Sequence, residues 1–336
     1  MKRMLTSTLI PLGLTFGLCG GSTAANAAEC GTVTIASMNW TSAELLANVD
    51  DFILKNGYDC DSSIVLGDTV PTLTSMAEKG QPDIAPEAWY SLRPPITQKN
   101  IDEGKLIVAG KAFEKGGIQG IYVPKFIVDE HPDIKTIADA VKHPELFPNP
   151  DDPAKAAWSS GPQGWGGTIV ASQYYKAYKA ADAGFANVDT GSAAGHDGSI
   201  THAYEAHRGW IGYYWEPTAL LGKYDMVRLS SGQSYDEAEW NRCNKVDNCA
   251  DPKPNEWPTD AVDTIVTKKF AENSGDALAY IKSRTWPNEL VNQMLAWMSD
   301  NQATGEDGAK QFLKENKSVW QKWVSAEAAA KIEAAL

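Results

Sequence analysis

Between Thr32 and Ala85 the hydrophobic period switches repeatedly between two and 3.6, and this constrains the chain's fold more than any other feature. Thr32 to Ala36 alternates and is β-branched, so it reads as a strand. Ser42 to Asn56 places Leu45, Leu46, Val49, Phe52 and Ile53 at helical spacing, with Gly57 positioned as a C-cap. Ser63 to Leu66 is a second strand, Thr72 to Lys79 a second helix, and Asp83 to Ala85 a short buried strand. Parallel strands need long crossovers, and helices supply them. The β-α-β-α-β rhythm therefore predicts an α/β lobe with a largely parallel sheet.

The remaining chain repeats the theme less regularly. Ile118 to Val123 begins a second set of elements, and Pro144 to Pro153 reads as a surface loop. Helices are expected at Thr168 to Ala181 and Ser199 to His207, and strands at Trp210 to Trp215 and Val227 to Leu229. From Ser231 to Asp260 the pattern lapses into clustered Asn, Asp and Pro. Ala261 to Thr267 returns to strand. Helices are expected over Gly275 to Ser283, Pro287 to Asn301, Gly305 to Asn316 and Ser318 to Leu336.

The first 27 residues read as a leader. Lys2 and Arg3 precede an apolar run, Leu5 to Leu18, and the segment ends in Ala25-Asn26-Ala27, an A-x-A cleavage pattern. Cys19 follows Leu18, where a lipid-attachment motif calls for a small residue, so lipidation is disfavoured. Removing the leader leaves about 309 of 336 residues, more than one core usually organises. The expected layout is a first lobe over 28–118, a second over 119–260 with an excursion at 231–260, and a return to the first lobe over 261–336. Outside the leader there are four cysteines, Cys30, Cys60, Cys243 and Cys249. Three pairings are open to them, and proximity favours Cys30–Cys60 with Cys243–Cys249; four free thiols are the alternative. An oxidising compartment such as a periplasm would permit both bonds. Lys and Arg number 30 against 43 Asp and Glu, a balance that argues against nucleic acid or an anionic membrane as partner.

Of the twelve tryptophans, Trp286, Trp297, Trp320 and Trp323 fall in the C-terminal helices and read as core. Trp240 and Trp257 plug the irregular excursion, and Trp158 and Trp210 fit either core or site. The other four share one context. Trp40 and Trp89 follow the first and third strands, Trp165 lies in Gly164-Trp165-Gly166-Gly167 before a helix, and Trp215 ends a strand. Ligands of open α/β sheets bind outside the carboxyl ends of strands. Two such tryptophans per lobe would meet in a cleft between the lobes. Indole faces attract a trimethylammonium group through their quadrupole while shedding water from its methyls. Gly164 and Gly166 free the backbone to present N–H groups at a helix start, where an anionic ligand end would dock. Glu87 and Glu216 neighbour the box and could face a cation; Glu130 is a weaker candidate.

No G-x-S-x-G elbow or H-E-x-x-H is present, and His131, His143, His196, His202 and His207 show no triad-like or metal-like order. These absences argue against an enzyme such as an exported hydrolase. A sugar-binding protein would also stack its ligand on tryptophan. The four box segments, however, contain no Arg and little Asn beyond Asn39.

Taken together, Gly164-Trp165-Gly166, Tyr213-Tyr214-Trp215-Glu216-Pro217, Pro86-Glu87-Ala88-Trp89 and the closing stretch from Thr285-Trp286-Pro287 to Trp323 resemble the glycine betaine/choline/proline betaine family of ABC transporter substrate-binding proteins. The resemblance runs from Thr32 to the C-terminal helices. It implies a two-lobe periplasmic-binding-protein fold, type II-like, with a hinged ligand cleft. The box role then falls to Trp40, Trp89, Trp165 and Trp215. It further implies a monomeric periplasmic protein serving an inner-membrane ABC permease, without a cofactor. The chain is most similar to trimethylamine N-oxide-binding members, with choline, glycine betaine and carnitine as alternatives. Those members carry a cysteine-containing insertion that can hold calcium. Here it would be Arg242 to Asp260, with Asp247, Asn248, Asp251 and Glu256 as oxygen ligands, or else a disulfide-closed loop without metal.

Overall fold

The computed structural model describes residues 30–336; the leader and Cys19 lie outside the described residues. Ten strands form in chain order: β1 (Thr32–Met38), β2 (Asp61–Gly67), β3 (Ile84–Trp89), β4 (Leu106–Lys111), β5 (Ile118–Pro124), β6 (Ala156–Ser159), β7 (Phe185–Val188), β8 (Gly212–Glu216), β9 (Met226–Arg228) and β10 (Val262–Thr267). They make two five-stranded sheets, ordered β2-β1-β3-β10-β4 and β7-β6-β8-β5-β9, the centres of two α/β lobes. Each sheet is mixed rather than simply parallel. In the first, β10 runs antiparallel to both β3 and β4. In the second, β5 runs antiparallel to β8 and β9. In each lobe the reversed strand is the one by which the chain arrives from the other lobe.

The two crossings lie side by side. Gly117 and Asp260 exchange backbone hydrogen bonds of 3.0 and 2.9 Å, making a short antiparallel ribbon. Gly116 has φ +69°, and a Cβ there would overlap the Asp260 carbonyl. A Cβ on Gly117 would overlap the Trp89 ring and lie 2.9 Å from the Glu216 carbonyl oxygen. Only glycine lets the ribbon pass this close to both lobes.

Four helices position the cleft: α1 (Thr41–Tyr58), α2 (Thr69–Lys79), α3 (Gly166–Ala177) and α4 (Ala193–Glu205). In α1 the expected stripe is buried, with Leu45, Leu46, Val49 and Ile53 fully enclosed. Its C-cap is Asp59, at φ 54°, rather than Gly57. Gly57 instead makes room for Ile332, whose Cδ1 would lie 3.1 Å from an added Cβ. Helix α2 begins three residues earlier than expected, and α3 two earlier, ending at Ala177. Helix α4 starts at Ala193 because the Ser192 hydroxyl accepts from Gly195 N–H, a cap that hydrophobic spacing does not reveal. Strands β4, β6 and β7 were not anticipated. Of the six helices that follow β10, four are long: α5 (Gly275–Ser283), α6 (Asn288–Asn301), α7 (Gly305–Glu315) and α8 (Ala326–Ala335). The last expected helix is broken, since Ser325 caps a fresh start.

Both disulfides favoured by proximity are present, Cys30–Cys60 and Cys243–Cys249. The first joins the starts of β1 and β2 across 30 residues, a loop length worth about 3–4 kcal/mol in chain entropy. The C-terminal helices are locked to the first lobe by Asp50 of α1. Its Oδ1 lies 2.9 Å from Arg284 Nε, both residues fully buried, and accepts from the Tyr280 hydroxyl.

Candidate ligand site: a tryptophan enclosure between the lobes

The four strand-end tryptophans do meet. Trp40 is the N-cap of α1, Trp89 closes β3, Trp165 is the N-cap of α3, and Trp215 is the penultimate residue of β8. All are buried. Trp165 stands edge-on to Trp40 at 5.9 Å and 86°, and to Trp215 at 5.1 Å and 89°. Together with Thr69, Leu92, Gly167 and Tyr213 they line one void. It is narrow: the centre of a water molecule ranges over about 20 Å³, within about 260 Å³ of space between atoms.

Carboxylates fix the rings by their edges. Glu87 Oε1 accepts from Trp40 Nε1 at 2.7 Å, Trp89 Nε1 at 2.9 Å and Ser42 Oγ at 3.1 Å. Both first-lobe indoles are thus held by one acceptor. Glu87 Oε2 is buried and makes no hydrogen bond within the protein. Burial pushes the Glu87 carboxyl up to about 7, and the indole and Ser42 donors oppose this only in part. Asp68, the N-cap of α2, accepts from Trp165 Nε1 at 3.1 Å. Burial raises its pKa, with the Trp165 bond opposing. This bond crosses between lobes, as does Val70 N–H to the Gly164 carbonyl at 3.1 Å.

The Gly-rich turn also has a packing role. Gly164, at φ +93°, would place a Cβ 3.0 Å from Asp68, and a Cβ on Gly166 would lie 2.7 Å from Leu92 Cβ. These glycines admit close approach of the lobes, while Gly167 lines the void. Tyr213 is stacked between Trp215 (5.7 Å, 19°) and Trp257 (5.3 Å, 17°). The excursion thus buttresses the enclosure from behind, and Trp240 Nε1 donates across the lobes to Ser91 O at 3.1 Å. Sequence reasoning missed Asp68, Thr69, Leu92, Tyr213 and the buttressing role of Trp257. Of these, only Tyr213 carried a signal, as a neighbour of Trp215.

The other candidates lie elsewhere. Glu216 is exposed and outside the lining, its Oε1 3.5 Å from the Tyr122 hydroxyl. Glu130 is exposed and pairs with His207 at 2.9 Å. The proposed calcium ligands do not converge. Glu256 is taken by Arg228 at 2.7 Å and by Ser231, Asp251 by Arg242 at 2.9 Å, and Asn248 donates to Asp247. Carboxylates already neutralised by arginine do not make the anionic oxygen cage that calcium requires, so this donor set does not fit the ion.

Two α/β lobes on a paired-strand hinge, closed over a ring of indoles, define a protein built to enclose a small ligand. Comparison with known proteins narrows the class. Residues 31–315 match the model of the substrate binding domain of ABC-type glycine betaine transport systems, and the chain belongs to that family. A trimethylamine N-oxide-binding protein of Pelagibacter ubique (strain HTCC1062) is 23% identical over 306 residues, covering 86% of this chain and 89% of the relative. Among solved structures, a choline-binding protein of an ABC transporter in complex with choline superimposes with a TM-score of 0.69 at 15% identity, covering 91% of this chain and 98% of that one. The glycine betaine/L-proline-binding protein of Borrelia burgdorferi gives 0.68 at 17%, with 90% and 99% covered. A lactococcal glycine betaine-binding protein in its closed-liganded form gives 0.65 at 19%, with 88% and 100% covered. Family and fold are those of transporter substrate-binding proteins, which work with ABC permeases. No helix among the described residues is long and apolar enough to cross a membrane.

Proposed function

We propose that this chain is an exported, periplasmic capture protein that encloses a compact methylated amine, trimethylamine N-oxide first among the candidates, and delivers it to an inner-membrane ABC permease. The observation that carries the reading is the enclosure itself. Four indoles surround one void, and three of them spend their N–H groups on Glu87 or Asp68. Ring surface is left for the ligand. A methylated cation is held by such surfaces at about 1–2 kcal/mol per desolvated contact. Three or four contacts sum to about 3–8 kcal/mol, and burial of the methyl surface adds to this against the cost of association. The narrow void favours a compact head over the longer chain of carnitine, and the Pelagibacter relative binds trimethylamine N-oxide by its name.

The test is a calorimetric and thermal-shift panel of trimethylamine N-oxide, choline, glycine betaine, carnitine and a sugar. A ligand at a hundred times its Kd adds about 2.7 kcal/mol to native stability. The expected result is the largest shift with trimethylamine N-oxide. Stabilisation by the sugar alone, or by none of the methylated amines, would overturn the reading.

A further inference from the structure

Most polar groups around the void are already committed. The Trp40 and Trp89 N–H groups go to Glu87, the Trp165 N–H to Asp68, and the Tyr213 hydroxyl donates to Gln119 Oε1 at 2.6 Å. Leu92 is apolar and Gly167 has no side chain. Among the described residues, two polar side-chain groups of the lining have no protein partner: the Trp215 N–H and the Thr69 hydroxyl. They differ in what they face. Trp215 also borders a separate outer cleft of about 320 Å³, between the lobes. Thr69 is 3% exposed and borders the tryptophan void.

The position of Thr69 is fixed from both sides. Asp68 holds the Trp165 indole and Val70 N–H holds the Gly164 carbonyl, so the residues flanking Thr69 are both bonded to the second lobe. Thr69 is also the first residue of the eleven-residue helix α2. The helix dipole is positive there, although Val70 N–H is taken by the Gly164 carbonyl, Pro71 has no N–H and Thr72 N–H bonds the Asp68 carbonyl. Thr69 is buried as a residue, and its hydroxyl, which has no hydrogen-bond partner within the protein, borders the void. A ligand that supplied an anionic oxygen at this point would give that hydroxyl an acceptor and meet a favourable helix end.

We infer that Thr69 is the specificity-determining contact of the enclosure: its hydroxyl donates to a negatively charged oxygen on the methylated amine, selecting oxygen-tipped ligands over purely cationic ones. This rests on the reading of the void as a methylated-amine site. The indoles hold the methyl groups and Thr69 reads what the nitrogen carries. Tetramethylammonium offers the same methyl surface without an acceptor and leaves the hydroxyl unpaired.

The experiment compares wild type, Thr69→Val and Thr69→Ser by titration calorimetry with trimethylamine N-oxide and with tetramethylammonium. Unliganded unfolding curves serve as the check on fold. Valine matches threonine in shape and lacks the donor; serine restores it. Thr69→Val is expected to weaken trimethylamine N-oxide binding by about tenfold to a hundredfold, the loss typical of one hydrogen bond to a charged acceptor. Thr69→Ser should bind it nearly as wild type does, and Thr69→Val should hold tetramethylammonium no more weakly than wild type. Trimethylamine N-oxide affinity unchanged in Thr69→Val overturns the inference and leaves the methylated-amine reading standing. Equal losses in the valine and serine variants overturn it too, since the residue would then act through packing. A wild-type protein that binds neither ligand overturns the parent reading, and the inference falls with it.

Discussion

Trp165 serves the site twice, and the two contributions can be separated. Its ring is one wall of the void, meeting Trp40 and Trp215 edge-on. Its N–H bonds to Asp68 on the opposite lobe at 3.1 Å. Loss of the wall removes one cation–π contact, about 1–2 kcal/mol. Loss of the donor removes a hydrogen bond to a half-buried carboxylate, about 1.5–3 kcal/mol. Trp165→Ala should therefore weaken binding by roughly sixtyfold to a few thousandfold, at tenfold per 1.4 kcal/mol. Trp165→Phe keeps an aromatic face and loses only the donor, so its expected loss is about tenfold to a hundredfold. Affinity would be read by calorimetry on purified protein, with far-UV circular dichroism and unliganded unfolding to confirm that both variants fold. An alanine variant binding within about threefold of wild type would refute the wall argument, since one lost contact predicts more than that. A phenylalanine variant indistinguishable from wild type would show that the Asp68 bond does not hold the closed lobes.

Glu87→Gln tests the buried carboxyl. The folded pKa is raised to about 7 from 4.5, so the fold favours the neutral acid. That contribution is present in full below 4.5 and is lost as pH rises through about 7, on the order of 3 kcal/mol. Denaturant unfolding of wild type should accordingly lose stability relative to the glutamine variant across pH 4.5–7; parallel profiles over that window would contradict the assignment. Gly117→Ala forces a methyl into the Trp89 ring at the hinge, and overpacking of this kind costs about 1–3 kcal/mol. Displacement of Trp89 should show as altered tryptophan fluorescence and weaker ligand binding, and unchanged affinity would mean that the ring is not held there.

The sequence was legible where one local rule decides the outcome. Periodicity located β1, α1 and β3, and the rule that ligands sit at strand carboxyl ends selected Trp40, Trp89, Trp165 and Trp215 from twelve tryptophans. What escaped is tertiary. Strands β6 and β7 have four residues each, too few to show a period. Asp68 and Thr69 precede the expected helix start at Thr72 and carry no periodic signal, and only the folded chain brings Gly164 and Trp165 against this segment. The adjacency of Glu87 to Trp89 was visible; its bond to Trp40, 47 residues earlier, was not. The family resemblance implied a cation site in the stretch from Asp247 to Glu256, but Arg228 and Arg242 occupy two of its carboxylates.

The shared acceptor of Trp40 and Trp89 bears on the order of events during capture. Both rings belong to the first lobe, and Glu87, on the same lobe, holds both by their N–H groups. That half of the box needs nothing from the second lobe to keep its shape. The bond holding Trp165, by contrast, reaches Asp68 across the cleft and exists only when the lobes are together. An arriving ligand thus meets a rigid two-sided corner whose side-chain entropy was surrendered when the lobe folded, not at the moment of encounter. Association should then proceed at the rate of collision with that corner, and the lifetime of the complex should be set by how often the second lobe swings away.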